Sequence, residues 1–348
     1  MSKAARTVDV AVVGATGLVG QSMLRCLWER QFPVGVLHAV ASERSLGKHV
    51  FFGQKRIPVQ AVDHFDFSQV QLALFSAGSA VASTHAPRAA AAGCVVVDNS
   101  SMFRGDPDIP LVVPEVNAHA MEDVWRGGGI IANPNCSTIQ LVVALKPIYD
   151  AAGLESVYVA TYQSVSGKGQ KGLEELAGQS AALLNGQEIT PKAFSKQIAF
   201  NVLPEIDVFD ENGFTREELK VVNETRKILG DASIEIGCTA VRVPVFFGHS
   251  EAVRLKTRQP LGAEACTALL RQAPGVVVLE GNQYPTAAFE GNGSDAVYVG
   301  RIREDLFDPL VLHLWVVADN VRKGAALNAV EIAELLLECQ FLCTEEED

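Results

Sequence analysis

One cysteine, one histidine, one arginine and a glutamate–lysine pair carry most of the chemistry available in this sequence. Cys136 stands in Asn133-Pro134-Asn135-Cys136-Ser137-Thr138-Ile139-Gln140, after the strand-like Ile130-Ile131-Ala132 and ahead of an amphipathic stretch ending near Tyr149. This predicts a thiol at a helix N-terminus, where unpaired N–H groups and the helix dipole favour negative charge. A thiolate is stabilised there, and an oxyanion forming beside it meets ready donors. The segment alone leaves a second account open, a packing cysteine before an ordinary helix. His249, in Gly248-His249-Ser250-Glu251, interrupts apolar strands and is the best candidate among seven histidines for acid–base work. A structural histidine is its plainer reading. Arg242, flanked by Val241 and Val243, needs a partner if buried, either a substrate carboxylate held bidentately or an internal salt bridge. Thr215-Arg216-Glu217-Glu218 resembles a capping box and opens a helix on which Glu217 and Lys220 share a face. Alone, that pair is an ordinary surface ion pair.

These residues need elements to hold them. Val8–Val13 reads as a strand, then comes Gly14-Ala15-Thr16-Gly17-Leu18-Val19-Gly20, then a helical pattern over residues 22–30. Strand, glycine-rich turn and helix let backbone approach a pyrophosphate and aim a helix N-terminus at it. A plain tight turn is the competing account, and the flanking strand and helix weigh against it. A second strand over residues 36–41 leads to Ser42-Glu43-Arg44-Ser45-Leu46-Gly47-Lys48. At that position an acidic residue suits the 2′-hydroxyl of NAD, whereas Arg and Ser suit a 2′-phosphate, so Arg44 and Ser45 point to NADP and Glu43 points the other way. Strands at residues 72–75 and 95–97 flank a helix over 81–92, which predicts a parallel, doubly wound sheet with Ser76 and Asn99 at its carboxyl edge. Beyond the Cys136 helix, longer strands carry helical insertions: a strand over residues 156–163, a turn at 164–169, a helix over 173–184, an irregular stretch over 191–213 and a helical pattern over 323–341.

Composition bounds the rest. The 348 residues are 48% hydrophobic, enough for about two domains, and 41 acidic against 29 basic residues give a net charge of −12. That balance disfavours nucleic-acid binding while permitting a local basic pocket. The polar start and the broken uncharged run over residues 127–145 read as neither leader nor membrane span, so a soluble cytoplasmic protein is expected. The seven cysteines form no CxxC pair and no cluster with zinc spacing, so no metal is expected. Cys26, Cys94, Cys238 and Cys339 are expected in packing, and Cys343 belongs to an acidic tail.

Taken together, these motifs resemble the aspartate-β-semialdehyde dehydrogenase family from about Val8 to Glu338. The likeness rests on the glycine turn at 14–20, Asn-Pro-Asn-Cys-Ser-Thr-Ile-Gln at 133–140, Gln163 with Ser166-Gly167, and Phe-Asn-Val-Leu-Pro at 200–204. It also rests on Glu217 with Lys220, Arg242, Gly248-His249-Ser250-Glu251, Asp319-Asn320 and Lys323-Gly324-Ala325. The resemblance implies a Rossmann-like α/β domain, residues 1–133 with 323–348, that binds NADP. It further implies an α+β catalytic and dimerisation domain with a mixed sheet, residues 134–322, and a homodimer. The implied reaction is reversible reduction of L-aspartyl-4-phosphate to L-aspartate 4-semialdehyde with NADPH and release of phosphate, on the route to lysine, methionine and threonine.

By the same resemblance Cys136 is the nucleophile that forms a thioester, His249 handles the proton, and Gln163 positions substrate and thioester. Arg242 clamps the α-carboxylate, Glu217 contacts the α-amino group, and Asn135 joins the substrate contacts. Arg104 and Lys220 match the phosphate site. Gly14, Thr16, Gly17, Leu18, Val19, Arg44, Ser45, Ser76, Ser166, Gly167 and Asn320 form the cofactor set. Glu43 and Lys168 depart from the family pattern. An N-acetyl-γ-glutamyl-phosphate reductase is the nearest rival, disfavoured by Ser-Thr-Ile-Gln after the cysteine. A catalytically silent paralogue is the other, and loss of the nucleophile would be its signature.

Overall fold

The computed structural model describes residues 7–121 and 129–343, with side chains through Cys339. The polar stretch before Thr7 and the Cys343 side chain lie outside the described residues. The chain divides into two compact units, Met1–Pro134 with Ala325–Asp348, and Asn135–Gly324.

In the first unit the elements are β1 (Val8–Val13), α1 (Leu18–Glu29), β2 (Val34–Ala41), β3 (His49–Phe52), β4 (Lys55–Ala61), β5 (Leu72–Phe75), α2 (Ser79–Ala91), β6 (Val95–Asp98), α3 (Pro114–Asn117) and β7 (Gly129–Ala132). They build a sheet in the order β3-β4-β2-β1-β5-β6-β7. β1 is apolar at five of its six positions and buried between parallel neighbours, the composition expected of a strand covered on both faces. The sheet departs from an all-parallel expectation at one edge. β3 runs antiparallel to β4, which itself pairs parallel with β2. The hairpin turns at Gly53-Gln54; β3 is only four residues long, and β4 opens on Lys55-Arg56 and contains Pro58, so neither stands out as an apolar run.

The C-terminal segment completes this unit. A π-helical turn over Arg322–Leu327 precedes the helix over Asn328–Cys343. Ala326, Leu327, Val330, Ile332, Ala333 and Leu336 join Val10, Val12, Met23, Leu27 and Leu74 in one buried cluster. Each such Val, Leu or Ile contributes about 1.5–3 kcal/mol relative to remaining exposed. Cys26 and Cys94 are buried as expected, whereas Cys339 is exposed. It lies near the end of its helix, past the last residue in the cluster, Leu336.

The second unit contains α4 (Cys136–Ala152), β8 (Leu154–Gln163), α5 (Gln170–Leu184), α6 (Arg216–Leu229), β9 (Glu235–Arg242), β10 (His249–Thr257), α7 (Ala263–Gln272), β11 (Val276–Leu279), β12 (Val297–Glu304) and β13 (Val311–Ala318); the C-terminal helix of the first unit is then α8. Its six-stranded mixed sheet has the order β11-β12-β13-β10-β8-β9. β8 alternates, placing Val157, Val159, Thr161 and Gln163 on the buried face and Tyr158 and Tyr162 on the exposed one. The register pairs Glu251 with Thr161 and Gln163 with Arg242. The ends of β8, β9 and β10 therefore bring Gln163, Arg242 and His249 to one edge. Among the described residues, no helix is long and apolar enough to cross a membrane.

Candidate active site

Cys136 is the first residue of α4, and Asn135 caps that helix. Its extended backbone (φ −62°, ψ 144°) turns the side chain so that Oδ1 accepts from the N–H groups of Ser137 at 3.0 Å and Thr138 at 3.4 Å. The cap is itself held. The Asn135 N–H donates to Glu224 Oε2 at 2.6 Å, and its Nδ2 donates to Glu217 Oε1 at 2.8 Å. Cys136 is half-buried, and its Sγ lies 3.2 Å from His249 Nε2.

His249 is fully buried at the start of β10, immediately after Gly248. Gly248 adopts φ +84°, and a Cβ there would lie 2.6 Å from the carbonyl oxygen of Ala287. Only glycine makes that bend and lets the backbone approach so closely. Burial, reinforced by the Arg242 guanidinium, pulls the imidazole down to about 3, against the opposing pull of the Glu217 carboxylate.

Glu217 is buried and takes three donors. Asn135 and Gln163 Nε2 (3.0 Å) meet Oε1, and the Lys220 ammonium meets Oε2 at 3.3 Å. Burial pushes this carboxyl up, but Lys220, the two amide hydrogen bonds and Arg242 together hold it below its usual range. Gln163 is oriented at its other end by Thr161, whose hydroxyl donates to Oε1 at 3.0 Å. Lys220 also pairs with Asp207 at 2.8 Å, so the expected surface pair is one side of a partly buried three-residue cluster.

Arg242 is buried at 5% exposure, and its Nη1 donates to the Ser164 carbonyl at 2.8 Å. Among the described residues no carboxylate lies within ion-pair distance of it, which sets aside the internal salt bridge. Desolvation lowers its basicity, opposed by Glu217 and Cys136. Gly167 leaves room for that guanidinium, since a Cβ there would sit 2.7 Å from Nη1. Ser166 Oγ and Asn320, expected among cofactor contacts, join the network around His249. Asn320 Oδ1 accepts from Ser164 Oγ, Ser166 Oγ and the Gly248 N–H at 2.9–3.0 Å.

Among the residues of this site that escaped the sequence reading as site residues, beside the supporting Thr161, Asp207 and Glu224, are Ser164 and Gly324. Ser164 follows Gln163 at the end of β8, and its position just past a strand end was the available signal. Gly324 stands against the nucleophile, because a Cβ there would lie 2.9 Å from Cys136 Cβ. Its closeness leaves no local mark in the sequence.

The first unit holds the remaining expected residues. Gly14 adopts φ +87°, and a Cβ on it would meet the Ser76 backbone at 2.8 Å; one on Gly20 would lie 2.2 Å from the Gly14 oxygen. No side chain caps α1 at Gly17. A cradle without side chains at an uncapped helix start fits a dinucleotide pyrophosphate. Thr16 Oγ1 and Ser45 Oγ lie 3.3 Å apart, and Arg44 is exposed in the turn Glu43–Ser45. Leu18 and Val19 open α1. Arg104 Nη2 donates to the Asn99 carbonyl at 2.9 Å.

Known proteins share this organisation. The semialdehyde dehydrogenase NAD-binding domain matches residues 9–124, and the semialdehyde dehydrogenase dimerisation domain matches residues 145–323. An aspartate-semialdehyde dehydrogenase from Shewanella sp. (strain DB6705) is 57% identical over 330 residues, covering 94% of this chain and 97% of that protein. The crystal structure of aspartate semialdehyde dehydrogenase II from Vibrio cholerae complexed with ASA superposes with a TM-score of 0.94 at 55% identity, covering 96% of this chain and 99% of that one. The enzyme from Candida albicans, crystallised with NADP, superposes at 0.76 with 25% identity, covering 95% and 98%. Because identity above one half extends through both units and both domain models match in order, the chain belongs to the aspartate-semialdehyde dehydrogenase family.

Proposed function

We propose that the protein is an NADP-dependent aspartate-semialdehyde dehydrogenase. It converts L-aspartyl-4-phosphate and NADPH to L-aspartate 4-semialdehyde, phosphate and NADP, in the biosynthesis of lysine, methionine and threonine. The observation that carries this reading is the thiol of Cys136 at a helix N-terminus, 3.2 Å from His249 Nε2, beside buried Arg242 and Glu217.

Cys136 attacks the acyl carbonyl, the bond to phosphate breaks, and the acyl group is held as a thioester. A thiolate suits this step because it is a strong nucleophile near neutral pH. Arg242, which has no carboxylate within ion-pair distance among the described residues, receives the substrate α-carboxylate, and Glu217 receives the α-ammonium. With both substituents held and Gln163 set by Thr161 and Glu217, the side-chain carbonyl is directed at sulfur, and such positioning lowers the barrier. Arg104 and Lys220 hold the phosphate and stabilise its departure.

NADPH, when bound, supplies the hydride that reduces the acyl group. Gly14, Thr16, Gly17, Leu18, Val19 and Ser76 hold its pyrophosphate side, Arg44 and Ser45 its 2′-phosphate, and Ser166, Gly167 and Asn320 complete the set. The NADP bound to the Candida albicans enzyme supports this choice. A cytoplasmic homodimer formed through the exposed face of the second sheet accords with the dimerisation-domain match and with exposed Tyr158 and Tyr162 there.

The test is direct. Purified protein given semialdehyde, phosphate and NADP forms NADPH, followed by absorbance, and Cys136→Ala abolishes it. Absence of turnover with NADP and with NAD refutes the reading.

A further inference from the structure

Asn135 caps α4 with its side chain, and its own main-chain N–H then needs an acceptor, because the residue is buried at 6% exposure. In a capping box that acceptor is a Glu or Gln at the third helical position, as Glu218 is for Thr215 at the start of α6. The third position of α4 is Thr138, whose hydroxyl makes no such bond. The acceptor comes instead from another helix. Glu224 Oε2, on α6, takes the Asn135 N–H at 2.6 Å.

Glu217, Lys220 and Glu224 stand at i, i+3 and i+7, on one face of α6. That face grips Asn135 at two points, the main-chain N–H by Glu224 and the side-chain Nδ2 by Glu217 at 2.8 Å. The two bonds differ in what they fix. The Nδ2 bond orients a side chain, whereas the N–H bond holds the main chain one residue ahead of Cys136. Glu224 is buried at 4% exposure, so bulk water does not stand ready to replace its oxygen. A shift of the main chain at Asn135 carries the sulfur with it, away from His249 Nε2 at 3.2 Å.

We infer that Glu224 is a positioning residue for the nucleophile. It supplies from α6 the half of a capping box that α4 does not encode, and it fixes Cys136 relative to the helix that carries Glu217 and Lys220. The inference deepens the proposed function and rests on it for the substrate side. One rigid helix then sets both where the α-ammonium and phosphate are received and where the thiol stands, which is how a site keeps its reacting atoms in line. The requirement is for an oxygen acceptor with the reach of a glutamate side chain. A glutamine keeps the oxygen and the reach and loses the acid. An aspartate keeps the acid and draws its oxygen back by about 1.3 Å, out of hydrogen-bond distance.

Glu224→Gln, Glu224→Asp and Glu224→Ala in the full-length protein test this. Each is assayed for melting temperature, for initial rates, and for alkylation by iodoacetamide read on the Cys136 peptide, since exposed Cys339 also offers a thiol. A role in stability alone would lower the melting temperature and leave kcat and Cys136 alkylation of the folded protein at parent values. The expected result is different. Asp and Ala lose about 10- to 100-fold in kcat with a much smaller change in KM for the semialdehyde, and their Cys136 alkylation slows alongside. Gln restores both rates. Parent-like rates in folded Asp or Ala overturn the inference, and so does a loss in Gln as large as that in Ala, which would make the charge the cause. If Ala does not fold, the comparison of Gln with Asp decides. Absence of turnover in the parent, with alkylation following the expected pattern, refutes the proposed function alone. Turnover in the parent with Ala indistinguishable from it refutes this inference alone.

Discussion

Replacing Gly324 with alanine tests how tightly the nucleophile is held. The added methyl carbon would lie 2.9 Å from Cys136 Cβ, 3.2 Å from its Cα and 3.4 Å from the Asp319 carbonyl oxygen. Two carbons rest at about 3.5–4.0 Å, so Cys136 or Gly324 must move by roughly 0.6–1 Å. The nearest atoms are the Cβ and Cα at the root of Cys136 and the Asp319 carbonyl rather than the far end of a flexible side chain, and the Gly324 N–H is bonded to that carbonyl at 2.9 Å, so neither residue yields freely. Overpacking of this kind costs about 1–3 kcal/mol of stability. The effect on catalysis is separate. A displacement near 1 Å at the reacting atom costs on the order of 100-fold in rate, or about 2.7 kcal/mol of barrier.

The expected result for Gly324→Ala is thus a folded protein with a lowered melting temperature and kcat reduced about 100-fold. Initial rates of NADPH formation, a thermal melt, and the alkylation rate of Cys136 by iodoacetamide separate the two effects. Gly178→Ala is the control, because a Cβ there meets nothing within 4 Å. It lies inside α5, where alanine is the better helix former by about 0.5–1 kcal/mol. A Gly324→Ala enzyme with kcat and Cys136 reactivity like those of the parent would refute this account of the site.

Glu251 offers a pH prediction. It is fully buried, the Gln140 amide beside its carboxyl falls short of full hydrogen-bond geometry, and burial outweighs that contact and raises the carboxyl well above the ordinary range. Below the ordinary carboxyl range both folded and unfolded chains hold the proton. As pH rises past it the unfolded chain releases the proton first, so stability falls until the raised folded value is reached. Glu251→Gln removes that slope, and denaturant unfolding at several pH values should show it gaining on the parent by about 1.4 kcal/mol per pH unit inside that window. Parallel stability curves would contradict a protonated Glu251. For the cofactor, Arg44→Ala should raise KM for NADP about 10- to 100-fold, the loss of one charge-assisted contact, while leaving KM for NAD nearly unchanged. An equal change for both cofactors would remove Arg44 from the 2′-phosphate site.

Local features were legible wherever a local cause suffices. The strand Val8–Val13 and the turn after it follow from an apolar run and glycines at 14, 17 and 20. The capping box at Thr215 follows from side chains three residues apart, and the structure shows both of its hydrogen bonds. Elements whose existence depends on distant partners were not legible. The β3–β4 hairpin is held at a sheet edge by β2, and the π-helical turn before α8 sits where the chain passes from one unit to the other.

The sequence by itself determined which side chains could do the chemistry. A thiol ahead of a helix, a histidine after a glycine, an arginine within a strand and a glutamate in a first helical turn are statements about neighbours in the chain, and composition and spacing carry them. Only the tertiary structure decided what those groups are to one another. Cys136 and His249, separated by 113 positions, come within 3.2 Å because α4 begins beside the edge where β8, β9 and β10 meet. The Nδ1 of that imidazole is met by the backbone N–H of Ser164, a contact that no residue type encodes. Hydrogen-bond direction and desolvation act through space rather than along the chain, so they appear only once the fold has placed Ser164, Arg242 and Glu217 around the ring.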